Sequence, residues 1–119
     1  MMTKRRAAIT LVAVLGLSGT ACSSNSPQPA VCASPVSSTS VTAVDYAFDP
    51  VCTGASLGAT LTVKNTGAIP HTFTVTGTSI DVPLAVGETT QVPLTGLAAG
   101  TYAVVCTIHP EMRGSLKVG

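Results

Sequence analysis

Four side chains in this sequence have the chemistry to hold a metal ion together. Near the end of the chain runs Cys106-Thr107-Ile108-His109-Pro110-Glu111-Met112, and far upstream of it stands His71. They offer a thiolate, two imidazoles and a thioether. Soft sulfur donors select copper, and two histidines and a cysteine in a plane with a weak axial methionine form the ligand set of a type 1, blue-copper electron-transfer site. Zinc sites draw on Cys, His, Asp and Glu and not on thioether, so Met112 argues against zinc. Once the N-terminal leader is set aside, His71, His109 and Met112 are the only residues of their types, and Cys106 is the only cysteine near either histidine. Each has an ordinary reading when taken alone, as core filler, buried thiol or surface imidazole. Their joint spacing favours one copper ion.

The elements that position these donors must come from a chain of 119 residues, enough for one domain with a modest core. Val, Thr, Ala and Gly dominate, and the only aromatics are Tyr46, Phe48, Phe73 and Tyr102, a composition that favours strands and turns over helices. Beyond the leader three bases (Lys64, Arg113, Lys117) face five acids (Asp45, Asp49, Asp81, Glu88, Glu111). This slightly acidic balance excludes nucleic acid and anionic lipid surfaces as partners.

Residues 1–21 read as a signal peptide. Lys4-Arg5-Arg6 precedes an apolar run from Ala7 to Leu17 that is too short to span a bilayer. The run closes on Leu17-Ser18-Gly19-Thr20-Ala21-Cys22, which resembles the lipobox of bacterial lipoproteins, with Gly19 departing from the pattern. That resemblance implies lipidation of Cys22 and an exported protein held by its lipid alone to the periplasmic or cell-surface face of a bacterial membrane. Ordinary cleavage after Ala21, leaving a free Cys22, is the alternative. Residues 22–40 are rich in Ser, Pro and Thr and carry no charge, so they read as a tether before a domain at 41–119. Export brings an oxidising compartment. Cys32 and Cys52 are then the natural disulfide pair, since Cys106 is engaged by metal and Cys22 by lipid, and closing that loop contributes roughly 3 kcal/mol.

From Val41 onward, short alternating segments are separated by turn residues. Strands are expected at 41–46, 59–64, 71–75, 89–94, 101–106 and 115–118, with turns at Phe48-Asp49-Pro50 and Asn65-Thr66-Gly67. This spacing, without a helical period, predicts an all-β fold, a Greek-key antiparallel β-sandwich.

Asn65-Thr66-Gly67-Ala68-Ile69-Pro70-His71 is similar to the Asn-x-x-x-x-Pro-His segment of amicyanin and plastocyanin, and Cys106-x-x-His109-x-x-Met112 has the short-loop spacing of amicyanin. On these motifs the chain resembles the cupredoxin family over residues 41–119. The resemblance implies a copper site of His71, Cys106, His109 and Met112. It also implies a role for Asn65 in linking the two ligand loops, although a plain turn-forming Asn serves the sequence equally well. Two positions depart from the pattern. Thr72 stands where those relatives carry Asn, and Ile108 stands where amicyanin has Pro, which gives Ile108 an N–H that can donate to the Cys106 sulfur. Pro70 and Pro110 stiffen the backbone beside each histidine.

The function expected is single-electron transfer by Cu(I)/Cu(II) cycling, in a monomer that meets redox proteins briefly at an apolar ring of Ile69, Pro70, Ile108 and Pro110 around His109. Copper delivery or buffering by the same fold is the alternative, and a metal-free adhesion sandwich a further one. No arrangement of nucleophile, base and orienting group is visible, so no enzyme is expected.

Overall fold

The computed structural model describes Cys32 and residues 34–119. The expected signal peptide and Cys22 lie outside these residues, as does most of the expected tether. Ten strands follow in chain order: β1 (Val36–Ser37), β2 (Ser40–Val44), β3 (Ala47–Asp49), β4 (Cys52–Ala55), β5 (Thr60–Asn65), β6 (His71–Val75), β7 (Asp81–Leu84), β8 (Thr89–Pro93), β9 (Gly100–Val105) and β10 (Arg113–Val118). No helix occurs among the described residues. One sheet has the order β1-β4-β10-β9-β6-β7 and the other β3-β2-β5-β8. The chain changes sheet between β1 and β2, β3 and β4, β4 and β5, β5 and β6, β7 and β8, and β8 and β9, which makes a sandwich of Greek-key type.

Alternation dictates the packing. In β5, Leu61, Val63 and Asn65 point inward while Thr60 and Lys64 face solvent, and β2 buries Val41 and Ala43 in the same way. Phe48 and Phe73 meet edge to face at 5.9 Å between ring centroids and join the two sheets. Each buried ring contributes about 1.5–3 kcal/mol by leaving water. Leu61, Leu84, Leu94 and Leu116 complete the core around them.

The sheets are mixed where antiparallel pairing was expected. β4 runs parallel to both β1 and β10, and β2 runs parallel to β5. Alternation reports which face a strand buries and carries no information about the direction of its neighbour. Four strands also escaped the sequence pattern. β7 contains Pro83, which demotes a segment in sequence but is tolerated here because β7 is an edge strand. β3 is only three residues long and lies where a turn was expected, and β4 carries Gly54. β1 lies upstream of Val41 and pairs with β4, so the sheet takes in part of the stretch expected as tether. The structure joins Cys32 to Cys52, with Cα atoms 5.9 Å apart, and this anchors the same stretch to β4.

Gly114, near the start of β10, shows how tightly this strand is packed. A Cβ at this position would lie 2.7 Å from the Val51 carbonyl oxygen and 3.5 Å from the Phe48 ring. The obstacle is backbone, which cannot swing aside. Gly114→Ala is therefore expected to destabilise the domain by about 1–3 kcal/mol, measured by urea unfolding. An unchanged midpoint would show that β10 can shift freely.

Candidate metal centre

β9 and β10 are antiparallel neighbours, with Val105 opposite Arg113, so the residues between them must form a tight loop at one pole of the sandwich. That loop is 106–112. Its ends are tied together where the Cys106 amide donates to the Met112 carbonyl at 3.1 Å, and its middle where the Met112 amide donates to the His109 carbonyl at 2.9 Å. Arg113 adds an Nε–H bond to the Pro110 carbonyl at 2.9 Å. His71 enters as the first residue of β6, which lies beside β9.

Folding thus brings three of the four expected ligands into a cluster and places the fourth at the base of the same loop. His71 Nδ1 lies 3.9 Å and His109 Nδ1 3.7 Å from Cys106 Sγ, and the three donor atoms all fall within 4.8 Å of one another. The two rings are inclined at 64° with centroids 5.2 Å apart. Cys106, His71 and Met112 are buried, and His109 is half-buried. With Cys106 Sγ only 3.7 and 3.9 Å from the two imidazole nitrogens, the three donors are close enough for one ion to be held by all of them.

The thiol is braced across strands. The Thr72 amide donates to Cys106 Sγ at 3.3 Å, while Thr72 Oγ1 accepts the Thr107 amide at 2.9 Å and lies 3.2 Å from Thr107 Oγ1. One residue therefore locks β6 to the ligand loop on both sides of its peptide. A bond donated to a metal-binding sulfur withdraws electron density from it and so favours the reduced ion.

A family model for the cupredoxin-like domain matches residues 8–118. The chain belongs to the cupredoxin-like family. Methylamine utilization protein MauL of Methylophilus methylotrophus is 31% identical over 93% of this chain, which spans 66% of that protein's length. An oxidised mutant of amicyanin is 26% identical and superimposes with a TM-score of 0.56, over 67% of this chain and 80% of that one. A purple cupredoxin from Nitrosopumilus maritimus shares the fold at 19% identity, with a TM-score of 0.59 over 67% of this chain and 98% of that one. The cofactor of this cupredoxin is one copper ion.

Two roles expected around the cupredoxin centre fall to other atoms. Asn65 is wholly buried, but its bonds stay on its own side. Its Nδ2 donates to the carbonyls of Ile69 (2.9 Å) and Leu84 (3.1 Å), and its Oδ1 accepts the Gly67 amide at 2.9 Å. It shapes the His71 loop and ties it to β7, while the link between the two ligand loops is made by Thr72 and Thr107. Likewise, the amide that reaches Cys106 Sγ is that of Thr72 rather than that of Ile108. Thr72 lies in β6 beside β9, which brings its N–H to the Cys106 sulfur, whereas Ile108 lies out on the loop and is 53% exposed.

Sequence reasoning missed Asp45 and Tyr46. They form the two-residue turn between β2 and β3, where Val44 pairs with Ala47. Asp45 Oδ1 lies 3.2 Å from His71 Nε2, and both carboxylate oxygens accept the Ala68 amide, at 3.0 and 3.1 Å. The Ala68 amide above all, and then the His71 imidazole, hold the Asp45 carboxyl below the ordinary carboxylate range in spite of some desolvation. The Tyr46 ring stands edge-on to the His109 ring at 5.3 Å. The signal available in the sequence was weak: a polar-aromatic pair between two alternating segments, far from any histidine.

Proposed function

We propose that this cupredoxin carries single electrons between proteins at the periplasmic or cell-surface face of a bacterial membrane. His71, Cys106, His109 and Met112 would hold the copper ion, which supplies the Cu(I)/Cu(II) couple. The observation that supports transfer over delivery is the bracing of the donors. Cys106 and Met112 are tied to each other through backbone, Cys106 is fixed to β6 through Thr72, and three of the four donors are buried. Donors fixed before the metal arrives move little when its charge changes, which keeps reorganisation small. A protein that hands copper on gains from a looser and more open set.

The half-buried His109 is the donor nearest solvent. Pro70, Ile108 and Pro110 are exposed beside it, Ile69 is half-buried, and Tyr46 adds an exposed aromatic ring against His109 itself. A small apolar patch with few charges suits short-lived encounters with redox partners. The lipobox-like Leu17 to Cys22 supports export and anchoring through Cys22, the Ser- and Pro-rich stretch after it supports a tether, and the Cys32–Cys52 disulfide fits an oxidising compartment. The molecule acts as a monomer.

Ile108→Lys tests the electron port. An ammonium at the contact is expected to slow electron transfer to a redox partner about tenfold or more, because about 1.4 kcal/mol of desolvation cost is enough for that factor. The reduction potential should hardly move. Stopped-flow kinetics at moderate ionic strength measures this, and unchanged rates would place the port elsewhere.

A further inference from the structure

We propose that the Asp45-Tyr46 turn is a positioning element of the metal centre, in which one turn that supplies no ligand holds both histidines, the carboxylate fixing His71 and the aromatic ring fixing His109. This rests on the copper reading for its effect on the metal, but its geometry is a property of the chain alone.

The His71 side chain is fully buried, and Asp45, whose side chain is 38% exposed, meets it from the solvent side. An imidazole has one N–H when neutral, and an ionised carboxylate can only accept. With Asp45 Oδ1 at 3.2 Å from Nε2, the proton belongs on Nε2. That leaves the lone pair on Nδ1, the nitrogen that faces Cys106 Sγ. The carboxylate is itself aimed, since the Ala68 amide in the His71 loop grips both of its oxygens. Gly67 leaves the room: a Cβ there would overlap the Asp45 carboxylate and come within 3.0 Å of His71 Nε2. Ligand loop and carboxylate are thus fitted to each other. A carboxylate behind a ligating imidazole raises its basicity, and its negative charge stabilises a doubly charged ion more than a singly charged one. Asp45 should therefore lower the reduction potential, opposing the Thr72 amide on the sulfur.

Tyr46 carries the second half. Its φ is 67°, the left-handed region in which turns ordinarily place Gly or Asn. A bulky side chain in that conformation is disfavoured, and strained residues of this kind persist where the surroundings need them. Tyr46 is also 56% exposed, so core packing does not account for it. What the strained backbone achieves is the contact with His109, ring edge to ring face at an interplanar angle of 89°. Because this histidine sits on a loop near solvent, a ring against its side limits the orientations it can take.

Three measurements test the turn. Nitrogen-15 shifts of the histidine rings in the metal-free protein at about pH 8 should show His71 almost wholly as the Nε2–H tautomer, and Asp45→Ala should turn it into a mixture. Wild type alone decides this point, whether or not a variant folds and whether or not copper is the metal. In the copper protein, Asp45→Asn keeps an acceptor for Ala68 but loses the charge. It should weaken Cu(II) binding about tenfold relative to Cu(I), the lower end of the usual loss when such a supporting group is removed, and so raise the potential by about 59 mV. Tyr46→Gly should leave the metal-free fold as stable as before or more so, because Gly relieves the left-handed residue, yet lower Cu(II) affinity, while Tyr46→Phe changes neither. An Nδ1–H tautomer in wild type, or an unmoved potential in Asp45→Asn, overturns the carboxylate half. Unchanged Cu(II) affinity in Tyr46→Gly overturns the aromatic half.

Discussion

Cys106→Ala yields a colourless protein that still folds. The visible band of a blue-copper centre depends on the thiolate, so its removal abolishes the band entirely instead of shifting it. The sandwich survives because its core is built elsewhere, from Phe48, Phe73 and the leucines and valines of both sheets. The loss of stability has a definite source. Thr72 N–H donates to Cys106 Sγ in a buried site, and without an acceptor it is left unsatisfied at a cost of about 1–3 kcal/mol. Cys106→Ser should recover part of that stability by offering an oxygen, and none of the colour. Circular dichroism, thermal unfolding and the visible spectrum of the two variants separate these effects. A blue Cys106→Ala protein would remove the thiolate from the centre, and an unfolded one would mean that the sandwich depends on this single side chain.

Met112→Leu has the opposite character. The protein stays blue and becomes a stronger oxidant. Met112 is fully buried at the end of the ligand loop, one residue before β10. Leucine has nearly its volume, so the fold should lose less than about 1.5 kcal/mol. The thioether, however, is gone. A weak axial donor stabilises Cu(II) more than Cu(I), and its identity tunes the potential of such centres. Each tenfold bias toward Cu(I) raises the potential by about 59 mV, so a rise of at least that size is expected by voltammetry. A fall, or a loss of colour with Cu(II) still bound, would give Met112 a different role.

The strands that alternate were legible in the sequence to within a residue or two, because burial on one face leaves a period of two; β6 (His71–Val75) was legible to the residue from its alternating residue types, although Thr72 is buried along with His71 and Phe73. Pairing direction was not legible, since it depends on partners far along the chain, and the parallel β2·β5 and β4·β10 pairs appear only in three dimensions. The clustered donors were legible because their types are rare in this chain. The groups that orient them were legible only in part. Thr72 stood out by its departure from the family pattern, but Thr107 is unremarkable in a chain rich in threonine, and Asp45 meets His71 only because the β2–β3 turn closes over the same pole as the ligand loops. Hydrogen bonds between loops distant in sequence leave no pattern of their own.

The most direct measurement is the visible and electron paramagnetic resonance spectrum of the purified protein loaded with one equivalent of Cu(II). An intense thiolate-to-copper band, lost on reduction and regained on oxidation, together with the narrow copper hyperfine splitting of a thiolate-bound type 1 centre, is the result expected of His71, Cys106, His109 and Met112. A protein that binds Cu(II) without that band, or stays colourless with Cu(II) and an oxidant, would contradict it.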